Sequence, residues 1–265
     1  MIAEPPEELH LRSLLFNLGF WIISLLYVFM CAVLALLPGA APVRWGVKRY
    51  VTRMIQLMQI SGIKPEARGR EKLPPAPFII APKHSSYGDG FLMYSQFDEL
   101  AFVTGDHLER FPLVPRVLEK LGAIVIDNCG GPEARKDLSN SFERAAAAKR
   151  NVLIYPEGNL AAVGEHHRYR SGVFHMQEAS GWPVVPVATN MGLRWQCEDW
   201  EKNRGPAVIE FLDPIPPGLE KDGFMVKLET AIETNTARLL DEGRAWNAAN
   251  GVPDARKIIA PAAAH

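Results

Sequence analysis

A long uncharged segment near the amino terminus restricts how this chain can fold more than any other feature. No charged residue occurs between Ser13 and Val43, and Pro38-Gly39 then favours the end of a helix. Because roughly 20 apolar residues suffice to cross a bilayer, we predict a hydrophobic membrane helix. It either spans the bilayer at a tilt or dips into one leaflet, and a buried helix of a soluble protein is the alternative. A secretory signal is disfavoured because acidic residues precede the apolar segment.

A basic segment follows the apolar one. Arg44, Lys48, Arg49 and Arg53 come before the next acidic residue, Glu66. Apolar residues recur at helical spacing along this segment: Val47, Tyr50, Val51, Met54 and Met58. The pattern predicts a basic amphipathic helix on an anionic membrane surface, with an ordinary solvated helix as the alternative. By the positive-inside rule, the body of the protein would lie on the cytoplasmic face of the cell (inner) membrane.

Apolar runs and helical patterns alternate through the rest of the chain. We expect strands at 78–81, 101–104, 123–126, 152–155, 184–188 and 208–212, and helices after Asp89 and at 113–121, 132–149, 172–179 and 222–241. This alternation predicts an α/β fold with a mostly parallel sheet flanked by helices. The predicted organisation is a membrane-anchoring segment (1–62), an α/β domain (63–245) and a poorly ordered tail (246–265).

The composition argues against several classes of function. The 265 residues carry a net charge of −1, so no basic field favours nucleic acid as a partner. The three cysteines, Cys31, Cys129 and Cys197, have no metal-binding spacing, and we expect reduced thiols. No GxxxxGK, GxGxxG, GxSxG or HExxH motif occurs, so the usual signatures of nucleotide-binding proteins, serine hydrolases and zinc proteases are missing from the sequence.

One histidine is placed as a catalytic base would be. His84 follows the predicted strand 78–81, and Asp89 comes five residues later, beyond the turn that Gly88 permits. A carboxylate that orients an imidazole makes it a general base for a hydroxyl. The alternative is a capping aspartate beside an ordinary loop histidine. Loops at the carboxyl ends of parallel strands build active sites, and this selects the loops at 83–90, 127–128, 156–158 and 189–190.

Four short motifs then occur in order along the chain. They are His84 with Asp89, Gly122 with Ile126-Asp127, Tyr155-Pro156-Glu157-Gly158, and Val185-Pro186-Val187. In this order and at these spacings they resemble the four motifs of the glycerolipid (lysophospholipid) acyltransferases, the family that makes phosphatidic acid from lysophosphatidic acid. The third motif of that family begins with Phe where this chain has Tyr155. The resemblance covers roughly residues 72–240.

The resemblance implies a membrane-bound O-acyltransferase. His84, oriented by Asp89, would deprotonate a lysolipid hydroxyl, which would attack the thioester of acyl-CoA or acyl carrier protein as co-substrate. No acyl-enzyme, metal or further cofactor is expected. Ser85 and Ser86 would shape the turn or hydrogen-bond near the acceptor.

The third motif is expected to contact the substrate. Glu157 would position it, with a helix-start carboxylate as the alternative. Backbone N–H groups of Gly158 and its neighbours would face charge that develops on the thioester oxygen, or a headgroup.

Three positions depart from the family's pattern, because phosphatidate-forming members carry a basic residue there. Asn128, which follows Asp127, replaces an Arg, Asn159-Leu160 replaces Thr-Arg, and Gly105, beside Asp106, replaces a Lys. Phosphate monoesters are usually held by Arg and Lys, so these changes disfavour lysophosphatidate. We therefore expect a lyso-aminolipid acceptor, such as lyso-ornithine lipid, with Asp106 suited to its amine.

Other functions stay open. The acceptor would be 1-acylglycerol-3-phosphate if the basic residues of the 166–170 segment, Arg170 in particular, supplied the missing charge; the alternative for that segment is a solvated loop. A non-catalytic membrane protein that binds lipid is a candidate from another class, and a hydrolase that uses the same His–Asp pair is a third.

Overall fold

The computed structural model describes residues 7–98, 100–105, 113–126, 145, 147–148, 150–197 and 199–255. The predicted binding residues Asp106, Asp127 and Asn128 lie outside the described residues, as does most of the helix predicted at 132–149.

Two antiparallel helices form an N-terminal hairpin, with α1 at Glu7–Leu34 and α2 at Ala41–Ile60. Gly39 makes the turn between them with a φ of 76°. Helix α1 is long and apolar enough to cross a membrane, and only 11% of its most apolar window is buried. Its exposed face carries many large apolar side chains, among them Leu14, Leu18, Trp21, Leu25, Leu26 and Phe29.

The apolar face of α2 has a different partner from the one predicted. Val51, Met54 and Met58 are buried inside the protein, and Met58 packs with Phe16 of α1 and with Ile63. The prediction that this face lies on a membrane is therefore wrong, because α1 and the α/β domain cover it. The basic residues of α2 point away from this face, and Lys48, Arg49 and Arg53 are exposed.

The hairpin is attached to the α/β domain through α1. The ring of Phe16 packs edge-on against Trp195, with 4.9 Å between the ring centroids. Ser13 Oγ accepts a hydrogen bond from the backbone N–H of Lys202 at 2.8 Å, and Asn17 Nδ2 donates one to the carbonyl of Trp200 at 2.6 Å. The predicted anchoring segment therefore packs on the body of the protein.

The described residues form one seven-stranded sheet in the order β1-β7-β6-β2-β5-β3-β4. The strands are β1 Ile63–Arg68, β2 Ile79–Pro82, β3 Leu100–Gly105, β4 Ile124–Ile126, β5 Asn151–Leu153, β6 Val184–Thr189 and β7 Gly205–Phe211. Every neighbouring pair is parallel except β6 and β7. The predicted mostly parallel α/β sheet is confirmed, and its six predicted strands all occur, with ends shifted by a few residues. Strand β1 was not predicted.

Among the described residues, four further α-helices flank the sheet: α3 Gly88–Tyr94, α4 Val114–Leu121, α5 Gly172–Ser180 and α6 Lys221–Asn250. Successive residues of the central strand β2 face opposite sides, as in any strand. Ile79 packs with Val173 of α5 and Leu228 of α6, whereas Ile80 packs with Leu92 of α3. The core therefore has two layers, one on each face of β2.

Helix α6 is longer than predicted. It continues to Asn250, past the predicted end at 241 and past the predicted domain boundary at 245. Val252 is buried beyond it, and Arg244 pairs with Asp254 at 3.1 Å. Residues 246–255 thus belong to the folded domain, which corrects the predicted tail, and residues 256–265 lie outside the described part of the chain.

Candidate active site

The His84–Asp89 pair lies at the carboxyl end of β2, the middle strand of the sheet. The chain leaves β2 at Pro82, runs through a short loop and enters α3 at Gly88, which places Asp89 in the first turn of that helix. Ligands of open α/β sheets bind at this end of the strands. The His84 side chain is 21% exposed and that of Asp89 is 1% exposed.

One oxygen of Asp89 organises the whole loop. Asp89 Oδ2 accepts hydrogen bonds from the backbone N–H groups of Ser85 at 2.7 Å and Ser86 at 2.8 Å, and it lies 3.4 Å from His84 Nδ1. The aspartate therefore caps the turn and orients the histidine at once, so the two alternatives from the sequence coexist. With Nδ1 directed at Asp89, Nε2 is the ring nitrogen that a substrate hydroxyl can reach.

Ser85 and Ser86 shape the loop. Both are buried, and Ser86 Oγ accepts a hydrogen bond from the backbone N–H of Gly88 at 2.9 Å. Neither serine lines the cavity beside His84. The geometry therefore fits turn chemistry, one of their two predicted roles, and the other, hydrogen bonding near the acceptor, stays a prediction.

A cavity of about 570 Å³ opens beside His84. Residues from the carboxyl ends of β2, β3 and β5 and from the start of α5 line it: His84, Tyr87, Phe102–Gly105, Ile154–Pro156, Gly158–Leu160 and Arg170–Gly172. The cavity brings together four of the predicted site residues, His84, Gly158, Asn159 and Arg170. Among the described lining residues, Arg170 carries the one permanent charge.

Glu157 does not contact this cavity. Its side chain is fully buried and accepts hydrogen bonds from Lys83 Nζ at 3.1 Å, from the His84 backbone N–H at 3.2 Å and from the His167 backbone N–H at 2.9 Å. Its partners therefore lie inside the protein, and the predicted role of Glu157 in positioning the substrate stays a prediction. A buried carboxylate requires paired charge and donors, and Glu157 finds them inside the protein. It fixes the backbone of His84 to the 157–167 segment.

Lys83 is the centre of a buried ion cluster that the sequence reasoning missed. Its side chain is 2% exposed, and Nζ also donates to Glu233 Oε1 of α6 at 2.9 Å and to the carbonyl of Glu165 at 2.8 Å. Tyr169 donates to the same oxygen of Glu233 at 2.7 Å, and burial together with Glu233 raises the pKa of Tyr169. The cluster of Lys83, Glu157, Tyr169 and Glu233 ties the loop that carries His84 to α6.

Gly158 is required where it stands. Its φ is 72°, and an added Cβ would lie 2.8 Å from Arg170 Nε, so the absence of a side chain lets Arg170 lie across this turn. The backbone N–H of Gly158 donates to the carbonyl of Tyr155 at 3.1 Å. That N–H is therefore engaged within the turn, and the donation to the thioester oxygen or a headgroup expected of Gly158 and its neighbours stays a prediction.

The chain is similar in sequence to known proteins. The sequence model of the Acyltransferase family matches residues 64–190. The chain is 30% identical over 189 residues to a 1-acyl-sn-glycerol-3-phosphate acyltransferase from Pseudomonas aeruginosa, an alignment that covers 71% of this chain and 72% of that protein. It is 23% identical over 131 residues to a chloroplastic 1-acyl-sn-glycerol-3-phosphate acyltransferase from Brassica napus, covering 49% of this chain and 38% of the relative.

A solved structure shares the fold. The crystal structure of the 1-acyl-sn-glycerophosphate (LPA) acyltransferase PlsC from Thermotoga maritima superposes with a TM-score of 0.69 at 18% sequence identity. The superposition covers 87% of this chain and 97% of that one. It therefore extends beyond the 64–190 region that the family model matches.

Proposed function

This chain belongs to the acyltransferase family, and from that premise we propose that it is a membrane-bound lysolipid O-acyltransferase that uses an acyl thioester as donor. The observation that carries the proposal is the His84–Asp89 pair at the wall of the cavity, with Nδ1 directed at the carboxylate. This is the arrangement that general-base catalysis on a hydroxyl needs. A module that only binds lipid has no use for it.

The proposed reaction is a direct transfer. His84 Nε2 takes the proton of the lysolipid hydroxyl while the oxygen attacks the thioester carbonyl carbon. A C–O bond forms, the C–S bond breaks, and the imidazolium returns the proton to the leaving thiolate. Asp89 stabilises the imidazolium between these steps. Hydrolysis is prevented to the extent that the lysolipid, and not water, occupies the cavity.

The shape of the cavity suits a lipid acceptor. Its volume lies within the range of about 300–1,000 Å³ that is usual for ligand pockets. Phe102, Val103 and Ile154 line the cavity with apolar surface, and Asn159 and Arg170 line it with polar surface. An amphipathic molecule can place its glycerol or acyl-chain hydroxyl at His84 between these two surfaces.

We place the enzyme on the cytoplasmic face of the cell membrane. The exposed apolar face of α1 is large, and such faces in contact with water are unfavourable. Exposed Arg49 and Arg53 on α2 suit anionic headgroups beside it. Both substrate and product of the proposed reaction are lipids, so an enzyme held at the bilayer meets them there.

For the acceptor we propose a lyso-aminolipid, because Asn159 and Leu160 line the cavity at positions where the family's pattern has Thr-Arg. Lysophosphatidate is the second candidate, and one observation favours it: Arg170 also lines the cavity and could hold a phosphate. Both relatives named above are 1-acyl-sn-glycerol-3-phosphate acyltransferases.

A side-by-side transfer assay tests the proposal. Detergent-purified protein receives a labelled acyl group, supplied in one set of reactions on CoA and in a parallel set on acyl carrier protein. The acceptor in each reaction is either lyso-ornithine lipid or lysophosphatidate. We expect labelled product from lyso-ornithine lipid, and loss of product with His84→Ala. Faster labelling of lysophosphatidate would refute the aminolipid, and Arg170→Gln should then raise the KM for lysophosphatidate. Membrane binding without transfer to either acceptor would favour a lipid-binding protein.

A further inference from the structure

The two oxygens of Asp89 have unequal surroundings. The hydrogen bonds from Ser85 and Ser86 and the contact with His84 Nδ1 all converge on Oδ2. Oδ1 is buried and has no hydrogen-bond partner among the described residues. An ionised carboxylate accepts about four hydrogen bonds, shared between its two oxygens, and buried acceptors in native proteins are nearly always satisfied. Oδ1 therefore lacks a donor.

The hydroxyl of Tyr155 is a hydrogen-bond donor close to Asp89. Its hydroxyl oxygen is also buried and without a hydrogen-bond partner among the described residues. The oxygen lies 4.0 Å from the place where a Cβ on Gly90 would be, so it reaches the first turn of α3, next to Asp89. Burial, and then the charge of Asp89, raise the pKa of Tyr155, so the hydroxyl keeps its proton.

The ring of Tyr155 contacts the other member of the pair. It stacks on the imidazole of His84 with 3.9 Å between centroids and 22° between planes. The imidazole is thus held between a carboxylate at its Nδ1 edge and an aromatic ring on one face. One side chain touches His84 with its ring and reaches towards Asp89 with its hydroxyl.

We propose that Tyr155 is a positioning residue of the His84–Asp89 pair. Its ring fixes the plane of the imidazole, and its hydroxyl is the donor for Asp89 Oδ1 through one bound water. The hydroxyl keeps the carboxylate aimed at Nδ1. The inference rests on the proposed function for its effect on catalysis. The resembling family has Phe at this position, so the hydroxyl is a feature of this chain.

Replacement by phenylalanine separates the hydroxyl from the ring. Tyr155→Phe should lower kcat about tenfold, the effect of one hydrogen bond to a charged group, with KM for the lysolipid within about twofold. Tyr155→Leu loses the stack as well and should lower kcat further. Tyr94→Phe removes a hydroxyl at the other end of α3, away from the pair, and serves as the matched control with unchanged kcat.

Thermal unfolding tests the Tyr155 hydroxyl independently of activity. The change in Tm caused by Tyr155→Phe has a different sign if the hydroxyl donates to Asp89 Oδ1 than if it has no partner. If the hydroxyl donates to Oδ1, Tyr155→Phe leaves a buried carboxylate oxygen unsatisfied and should lower Tm by about 3–10 °C. If the hydroxyl has no partner, its removal eliminates a buried unpaired group and Tm stays or rises.

The outcomes are distinct. An unchanged or raised Tm, or a kcat for Tyr155→Phe equal to that of the wild type, would overturn the inference. A wild-type protein that transfers no acyl group would refute the proposed function, and the change in Tm would still decide whether the Tyr155 hydroxyl is bonded.

Discussion

Removal of the Lys83 charge should destabilise the protein more than almost any other single change of a polar residue. In Lys83→Met the volume is roughly kept, but Glu157 and Glu233 lose their cation. The Glu157 carboxylate then stays buried with two backbone donors, from His84 and His167, as its remaining described partners. A buried carboxylate without paired charge is strongly unfavourable.

The magnitude follows from burial. The Lys83 and Glu157 side chains are 2% and 0% exposed, and that of Glu233 is 25% exposed. Removing one partner of such a buried pair costs about 3–5 kcal/mol in the free energy of unfolding. For a protein of this size that corresponds to a fall in Tm of about 6–20 °C. Lys72→Met is the matched control, because Lys72 pairs with an 88% exposed Asp213 at 3.5 Å and should cost at most about 1 kcal/mol.

The assay is urea unfolding in detergent, followed by tryptophan fluorescence, with acyl transfer measured on the same samples. We expect the double variant Lys83→Met/Glu157→Gln to recover part of the lost stability, because it also removes the orphaned charge. Acyl transfer should fall in Lys83→Met, since Glu157 holds the His84 backbone. If the free energy of unfolding of Lys83→Met were within 1 kcal/mol of that of Lys72→Met, the argument that the Lys83 charge stabilises the buried Glu157 and Glu233 would be refuted.

Three other substitutions have expected outcomes. His84→Ala should lower acyl transfer by a factor of roughly 10² or more, with membrane association in a flotation assay kept; retained transfer would remove His84 from the mechanism. Gly158→Ala should cost about 1–2 kcal/mol for the positive φ and displace Arg170, so both Tm and transfer should fall, and an unchanged Tm would contradict the reasoning. Phe16→Ala should lower the free energy of unfolding by about 3–5 kcal/mol, because Phe16 is 1% exposed and its ring packs against Trp195. A denaturation midpoint equal to that of the wild type would show that α1 is not packed on the α/β domain in solution.

The sequence was sufficient to predict those strands that a local pattern of apolar residues marks. The apolar runs of β2, β5 and β6 predicted strands, because strands covered on both faces need continuous apolar residues. Strand β1 escaped because its residues, Ile63–Arg68, include Pro65 and three charged side chains. Within the described part of the chain it pairs with β7 alone, and edge strands tolerate both features.

The membrane contact predicted for α2 was wrong, and the burial of Glu157 was not foreseen. In both cases the sequence does not show which part of the protein packs against the residue concerned. The apolar face of α2 has the periodicity of a membrane-surface helix, and the same periodicity packs on α1 and the sheet. Glu157 carries a charge that looks available for substrate, yet Lys83, more than 70 residues earlier in the chain, reaches it. A lysine just before His84, at the end of a buried strand, was the signal that a buried carboxylate partner was needed.

The attachment of α1 has a consequence for how the chain can be shortened. Trp195, against which Phe16 packs, also stacks on Phe91 of α3, and Phe91 contacts Tyr50 of α2. The hairpin thus covers one side of α3, the helix whose first turn contains Asp89. We expect a fragment that starts at residue 63 to lose this cover and, with it, part of the support for the position of Asp89.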